Sequence, residues 1–353
     1  MRVLVTVDPT IPVPPKLYGG VERMAAGVVD SLRTRGHHVG LLAHPESTQA
    51  CDAKYGWPEA NPMSASAHLA NTWALQRSVR EFTPDLIHSF SRLLYLGTAL
   101  LDYSLPKIMS YQRQPTPRTI RWAARAAGRS LCYTGCSAYI ANAGSAIAGR
   151  WEAIPNFIHP EQLPFVAQVP TDAPLVFLSR VESIKGAHRA IAIARAADRR
   201  LIIAGNKADS GPEADYFQRR IAPEIDGDRV QYVGPVNDEQ KAALLGRALA
   251  MLVPIEWNEP FGIVFIEAMA CGTPVISSPR GALPELVTPG REGFLIQSDE
   301  EGVEAVRRIG NISRAECRAR VEEAFTCEIV VSQYEALYGE LLSGTTEARW
   351  TAR

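Results

Sequence analysis

Two carboxylates, Glu259 and Glu267, stand eight positions apart in the stretch Glu259-Pro260-Phe261-Gly262-Ile263-Val264-Phe265-Ile266-Glu267. Pro260 and Gly262 favour a turn with close backbone approach, and Ile263 to Ala270 has the apolar density and the residue types of a buried helix. A helix start presents unpaired N–H groups and the positive end of a dipole, and Gly262 has no side chain to hold an anion away. Upstream, Leu178-Ser179-Arg180-Val181-Glu182-Ser183-Ile184-Lys185-Gly186 sets two cations, Arg180 and Lys185, about a short turn. Such a pair suits a diphosphate, although two solvated loop charges would look the same in sequence. Beside a bound diphosphate a carboxylate is repelled unless it accepts hydroxyls, so sugar and ribose diols are the natural partners of Glu259 and Glu267.

Other clusters fall just after apolar runs. Pro14-Pro15-Lys16-Leu17-Tyr18-Gly19-Gly20-Val21-Glu22-Arg23 brings a glycine pair into a helix start, where backbone amides at Gly19, Gly20 and Val21 either hold an anion or simply make a turn. Ile203-Ala204-Gly205-Asn206-Lys207 is a second glycine-bearing loop. His88, at the end of an apolar run, either lines a cleft or is a satisfied core histidine. Arg118, Arg121, Arg125 and Arg129 recur at helical spacing, as a solvated face or as a basic face toward an anionic acceptor or lipid headgroups. No Ser/His/Asp set, HExxH pattern or Walker loop is present.

The elements that must position these residues alternate along the chain. Strands are expected at Val3 to Val7, Val39 to Ala43, Leu86 to Ser89, Lys107 to Tyr111 and Ala138 to Ala141, with an amphipathic helix over Glu22 to Arg35 that ends at Gly36. From Ile154 to Pro170 periodicity is lost and prolines gather at 155, 160, 164 and 170, which marks a linker. A second alternation follows, with strands at Leu175 to Leu178, Leu201 to Ala204, Val230 to Val233, Ala250 to Pro254, Pro274 to Ser278 and Gly293 to Ile296. Helices fit between them at Gly186 to Ala197, Asn237 to Ala248 and Ile263 to Ala270. The βαβ pattern implies an α/β protein of two Rossmann-like domains facing each other across a cleft, with ligands at the carboxyl ends of strands. The expected division is 1–165, 166–327, and a C-terminal segment 328–353 whose helix, Glu328 to Leu342, returns to the first domain.

Composition agrees with an enzyme-sized globular chain of 353 residues, 46% hydrophobic and 21% charged. Net charge is −1, which gives no reason to expect nucleic acid as a partner, but it divides unevenly: 16 basic against 11 acidic residues up to 165, and 21 against 27 beyond. The six cysteines have neither disulfide density nor zinc spacing; Cys132 and Cys136, four apart, lack further ligands. Met1-Arg2-Val3-Leu4-Val5-Thr6-Val7 reads as a buried strand rather than a secretion signal, and there is no run of 18 apolar residues. A cytoplasmic location is expected, with peripheral contact at the inner face of the membrane.

With these motifs assembled, the chain resembles the retaining glycosyltransferases of family 4, which have the two-domain GT-B fold. The resemblance spans nearly all of it. It is carried by Tyr18-Gly19-Gly20-Val21-Glu22, by Arg180 with Lys185, by Glu259 with Glu267, and by Ile154-Pro155-Asn156, Tyr232-Val233-Gly234, Glu267-Ala268-Met269-Ala270-Cys271-Gly272-Thr273-Pro274-Val275 and Tyr334-Glu335-Ala336-Leu337-Tyr338. The resemblance implies a UDP- or GDP-sugar donor and a small-molecule, glycan or lipid-linked acceptor, with no metal and no resident cofactor. It gives Arg180, Lys185 and Glu259 catalytic roles. The donor pyrophosphate would lie on Arg180, Lys185 and the backbone of Phe261, Gly262, Ile263 and Val264, the ribose on Glu267 and the transferred sugar on Glu259. Gly205, Asn206, Val233 and Gly234 would border the base, and Gly19 and Gly20 would close on phosphates or acceptor. Where many relatives carry a histidine, this chain reads Ser110-Tyr111-Gln112-Arg113, so Gln112 and Arg113, with His88, are the expected sugar or acceptor contacts. A sugar-nucleotide epimerase and a non-catalytic nucleotide-sugar sensor are the alternative classes.

Overall fold

A computed structural model describes residues 1–15 and 19–351, with side chains of the last helix described through Gly344. Tyr18, part of the glycine motif, lies outside the described residues. The chain divides into two compact units, one comprising Met1–Phe157 and the helix that starts at Cys327, the other Ile158–Thr326.

In the first unit β1 (Arg2–Val7), β2 (His38–Ala43), β3 (Ala53–Gly56), β4 (Leu86–Phe90), β5 (Lys107–Tyr111), β6 (Leu131–Gly135) and β7 (Arg150–Ala153) pair in the order β3-β2-β1-β4-β5-β6-β7, every pair parallel. In the second, β8 (Leu175–Leu178), β9 (Leu201–Ala204), β10 (Val230–Gly234), β11 (Ala250–Val253), β12 (Val275–Ser277) and β13 (Gly293–Leu295) pair in the order β10-β9-β8-β11-β12-β13, again parallel. Central strands such as β8 and β11 are apolar throughout because helices cover both faces of a parallel sheet. Each sheet grows to one side of its first strand and then resumes on the other. The reversal sets the loops after β1 and β4, and those after β8 and β11, beside one another at the carboxyl edge.

Most expected elements stand within a residue or two of their positions. Ala138 to Ala141 is the exception: it begins the helix Ala138–Ser145, and the strand lies earlier, at β6. Ser137 decides this, its Oγ accepting the Ile140 N–H at 3.2 Å as an N-cap. The edge strands β3 and β7 were not expected; half-exposed and four residues long, they lack the apolar run that reveals a central strand.

The division falls after Phe157 rather than at 165, and the final helix begins at Cys327. Two arginines explain the first shift. Arg318 donates to the carbonyls of Pro160, Leu163 and Ala270, and buried Arg314 to those of Val166, Ala248, Gly246 and Cys271 and to Thr273 Oγ1. The proline-rich stretch is thereby stitched to the second unit.

The helix Cys327–Thr351 is built into the first unit by a buried polar chain. Tyr338 Oη meets His88 Nδ1 at 2.6 Å, His88 Nε2 meets Ser110 Oγ at 2.8 Å, and Ser110 meets Thr134 Oγ1 at 2.7 Å. At its rim Glu335 holds Arg35 and His37, the latter at 2.6 Å. His88 is fully buried against Phe90, Tyr334 and Tyr338, so the expected sugar or acceptor contact is instead a structural tie.

Burial pushes the His88 pKa down to about 3, so the folded protein keeps a neutral imidazole. The unfolded chain takes up a proton below about pH 6.5 while the folded chain does not, so stability must fall with pH in that range. Equilibrium denaturation of the wild type should lose about 2 kcal/mol between pH 7 and pH 5 on this account. His88→Gln should be less stable at pH 7 and should lack that component of the slope; an unchanged slope would assign it to other groups.

Candidate active site

The second unit carries most of the expected residues, on its switch-point loops. Behind β8 the chain turns through Ser183–Lys185, where Glu213 takes the Ser183 N–H at 2.6 Å and Oγ at 2.8 Å. Gly186 then enters the helix Ala187–Ala196 at φ +77°, with the Pro254 carbonyl so near that a Cβ would lie 2.2 Å from its oxygen. Behind β11 the Glu256 N–H bonds the Ile184 carbonyl at 2.8 Å, joining the two loops. Gly262, at φ +91°, starts the helix Ile263–Ala270, and a Cβ there would strike the Phe265 ring. Glu259 is fixed through its carbonyl, which accepts from Ala282 N at 2.9 Å.

The joined loops bring Lys185 and Glu259 together. Lys185 Nζ lies 2.6 Å from Glu259 Oε2, with side-chain exposures of 10% and 14%. The Trp257 indole N–H donates to the same oxygen at 3.0 Å, and the Lys185 ammonium sits 4.4 Å from the centre of the Trp257 ring. The lysine is therefore held by a carboxylate and an aromatic face, and both bonds to Glu259 fall on one of its oxygens.

Glu267 has a cation of its own. Lys241 Nζ lies 2.6 Å from Glu267 Oε1 and 3.0 Å from Asp238 Oδ1. Burial by itself would lower the Lys241 pKa, but the charges and hydrogen bonds of Glu267 and Asp238 outweigh it, and the pKa is raised. Arg180, half exposed, is bonded to Glu182, while Lys185 is bonded to Glu259. Gly205 meets the end of β10, since Gly205 N donates to the Gly234 carbonyl at 2.8 Å and Tyr232 Oη to the Gly205 carbonyl at 2.9 Å, while the Asn206 carbonyl accepts the Val181 N–H at 2.8 Å. Val233 beside them is exposed. The Phe261 side chain is buried against Phe325, which leaves only its backbone for a ligand.

In the first unit Gly20 begins the helix Gly20–Thr34 behind β1, with Gly19 as its N-cap. Glu22, in the first turn, is buried, and burial raises its pKa against an opposing backbone hydrogen bond. Asp8 pairs with Arg92 at 3.1 Å, and the hydroxyls of Thr6, Ser89 and Ser91 bond one another at 2.9–3.2 Å. Gln112 is half-buried and Arg113 exposed.

Trp257, Lys241 and Glu213 were missed in sequence. Trp257 carries a local signal, a large aromatic two positions before Glu259. Lys241 sits on a polar helix turn 26 residues from its partner and reads as solvated. Among the described residues no group of three His, Cys, Asp or Glu side chains could hold a metal ion.

Two parallel α/β units, one presenting paired lysines and glutamates around a helix N-terminus at a switch point, define the GT-B class of sugar-transferring enzymes. A model described as "Glycosyltransferase Family 4" matches residues 18–162 and one described as "Glycosyl transferases group 1" matches 161–324. The chain belongs to these family 4-type glycosyltransferases. It is 27% identical over 333 residues to a glycogen synthase of Mycobacterium tuberculosis, 79% of each chain. It is 34% identical over 137 residues to a D-inositol 3-phosphate glycosyltransferase of Mycolicibacterium smegmatis, a match spanning 38% of this chain and 31% of that one. The structure of sucrose-phosphate synthase from Thermosynechococcus elongatus superposes with a TM-score of 0.78 at 21% identity, covering 98% of this chain and all of the other. The epimerase alternative is set aside, since the matched families and relatives transfer sugars.

A double-mutant cycle tests whether Lys185 and Glu259 interact as a desolvated pair. Lys185→Met, Glu259→Gln and their combination should give a coupling energy of about 2 kcal/mol in chemical denaturation. A value below about 0.5 kcal/mol would place the pair with screened surface bridges.

Proposed function

We propose that the enzyme transfers a sugar from a UDP- or GDP-linked donor to an acceptor hydroxyl with retention of anomeric configuration. The observation that carries this reading is the Lys185–Glu259–Trp257 cluster beside the Gly262 helix start. It pairs a cation suited to phosphate with a carboxylate suited to hydroxyls. In the proposed complex Lys185, Arg180 and the N–H groups from Gly262 to Val264 hold the diphosphate. Glu259 accepts hydroxyls of the transferred sugar through Oε1, Glu267 accepts the ribose hydroxyls, and the Gly205-Asn206 and Val233-Gly234 loops border the base.

The reaction is written as attack on the face from which the nucleotide departs. The acceptor oxygen bonds to the anomeric carbon as that carbon's bond to the β-phosphate oxygen breaks, and the acceptor's proton passes to the β-phosphate. Positive charge at Lys185, Arg180 and the helix start stabilises the leaving diphosphate. This scheme assigns no role to a metal, a resident cofactor or a separate base. The acceptor side is assigned to the first unit, at the carboxyl edge of its sheet, where Gly19 and Gly20 begin the helix behind β1.

Lys185→Ala should lower turnover about 100-fold, as loss of one preorganised charge stabiliser does; near-normal transfer would sink the reading. A nucleotide panel read by thermal stabilisation identifies the base, because a ligand at 100 times its Kd adds about 2.7 kcal/mol.

Lys241 holds Glu267 in place through their ion pair, so it acts as a positioning residue. Lys241→Ala should raise the KM for donor about tenfold with kcat within about threefold, and Lys241→Arg should recover most of the loss, in keeping with one charge-assisted hydrogen bond. An equal loss in kcat would show that Lys241 serves the transfer step instead.

A further inference from the structure

The surface around the helix Pro117–Ala127 has a composition that the reaction leaves unexplained. From Tyr103 to Trp151 the chain contains no aspartate or glutamate, yet it carries Lys107 and six arginines. Lys107 is buried and bonded to the Ala99 and Asp102 carbonyls and to Ser130 Oγ, so the exposed charge belongs to arginines. Ile120, Ala123 and Ala127 face inward, which turns Arg118, Arg121, Trp122 and Arg125 outward together at positions i, i+3, i+4 and i+7. Arg129 follows, exposed, in the next turn.

This face is apolar as well as basic. Trp122 is 53% exposed, and the helix packs on the segment Leu93–Leu101, where Leu94 is 53% and Leu101 60% exposed. Tyr103, 61% exposed, lies beside Gly128 at the helix end, and the exposed Asp102 before it is the single acidic residue from Leu93 to Trp151. An ordinary solvated face interleaves charges of both signs and does not gather large apolar side chains. Arginines of one sign around an outward tryptophan match a bilayer boundary instead: guanidinium groups meet anionic headgroups while the indole and leucines enter the acyl margin.

We propose that this face docks the enzyme on an anionic lipid surface. No helix among the described residues is long and apolar enough to cross a membrane, so attachment through this patch is peripheral. The commitment is to lipid rather than to nucleic acid, because phosphate-backbone binding would use the arginines but gives no reason for Trp122, Leu94, Leu101 and Tyr103 to stand out in water. It does not depend on the donor or on the stereochemistry of transfer.

The test is co-sedimentation of the full chain with vesicles of phosphatidylcholine alone and of phosphatidylcholine with about one third phosphatidylglycerol. Binding should require the anionic lipid, weaken as salt rises and fall at least tenfold in the triple variant Arg118→Gln/Arg121→Gln/Arg125→Gln. Trp122→Ala should weaken it several-fold at any salt concentration. All four side chains are exposed, so the variants should melt like the wild type and transfer to a soluble acceptor at the wild-type rate. Equal binding to both vesicle types, no binding, or an unaffected triple variant would overturn the proposal. So would tighter binding to a short DNA duplex than to the anionic vesicles.

Discussion

The pairing of two nearly buried charges, Lys185 and Glu259, is the constraint around which the second unit is arranged. Neither side chain could be buried alone without losing its charge or destabilising the fold, since an uncompensated buried ion costs several kcal/mol. Held 2.6 Å apart, each offsets the other, and the Trp257 indole supports both. The geometry is demanding because the partners come from loops 74 residues apart in sequence. Glu213 clipping Ser183, Glu256 bonding Ile184 and the Pro254 carbonyl lodged against Gly186 all serve to bring those loops to one place.

Topology supplies the coarse part of that placement. Because the second sheet starts at β8, runs out to β10 and resumes at β11 on the other side, the loops after β8 and β11 are neighbours before any side chain acts. The first sheet makes the same reversal between β1 and β4, and it gathers Gly19, Gly20 and Glu22 with Ser89, Ser91 and Arg92 at the corresponding edge. One architectural rule, used twice, thus decides which parts of each unit can carry chemistry. The buried Arg314 and the Tyr338–His88–Ser110 chain hold the returning segments, leaving those edges to the loops.

What the sequence revealed follows from where the physical signal is local. Central strands such as Leu175–Leu178 and the helix Ile263–Ala270 are legible because burial on every side demands an unbroken apolar run. Edge strands Ala53–Gly56 and Arg150–Ala153 are half exposed and carry no such demand, and Ser137 redirects Ala138 to Ala141 into a helix through a single cap. In the site, Gly262, Lys185 and Glu259 could be picked out because a turn, a cation and a carboxylate stood in short motifs. Lys241 could not, since its meaning lies entirely in Glu267, and His88 was ambiguous until its two hydroxyl partners were placed.

In the proposed complex, ligand binding is an exchange of partners rather than the filling of a vacancy. A phosphate that draws Lys185 would remove part of the compensation for Glu259, so a diphosphate arriving alone would leave a nearly buried carboxylate short of a cation. In that proposed complex a hydroxyl on the attached sugar would restore what is lost by donating to the same carboxylate. The Trp257 N–H donates to the same Glu259 oxygen as Lys185, so the carboxylate has a second donor besides the lysine. On the proposed reading, coupling phosphate recognition to hydroxyl recognition through one ion pair would favour the intact nucleotide sugar over the free nucleotide. It is the kind of discrimination that a transferase needs in order to release the product nucleotide after the sugar has left.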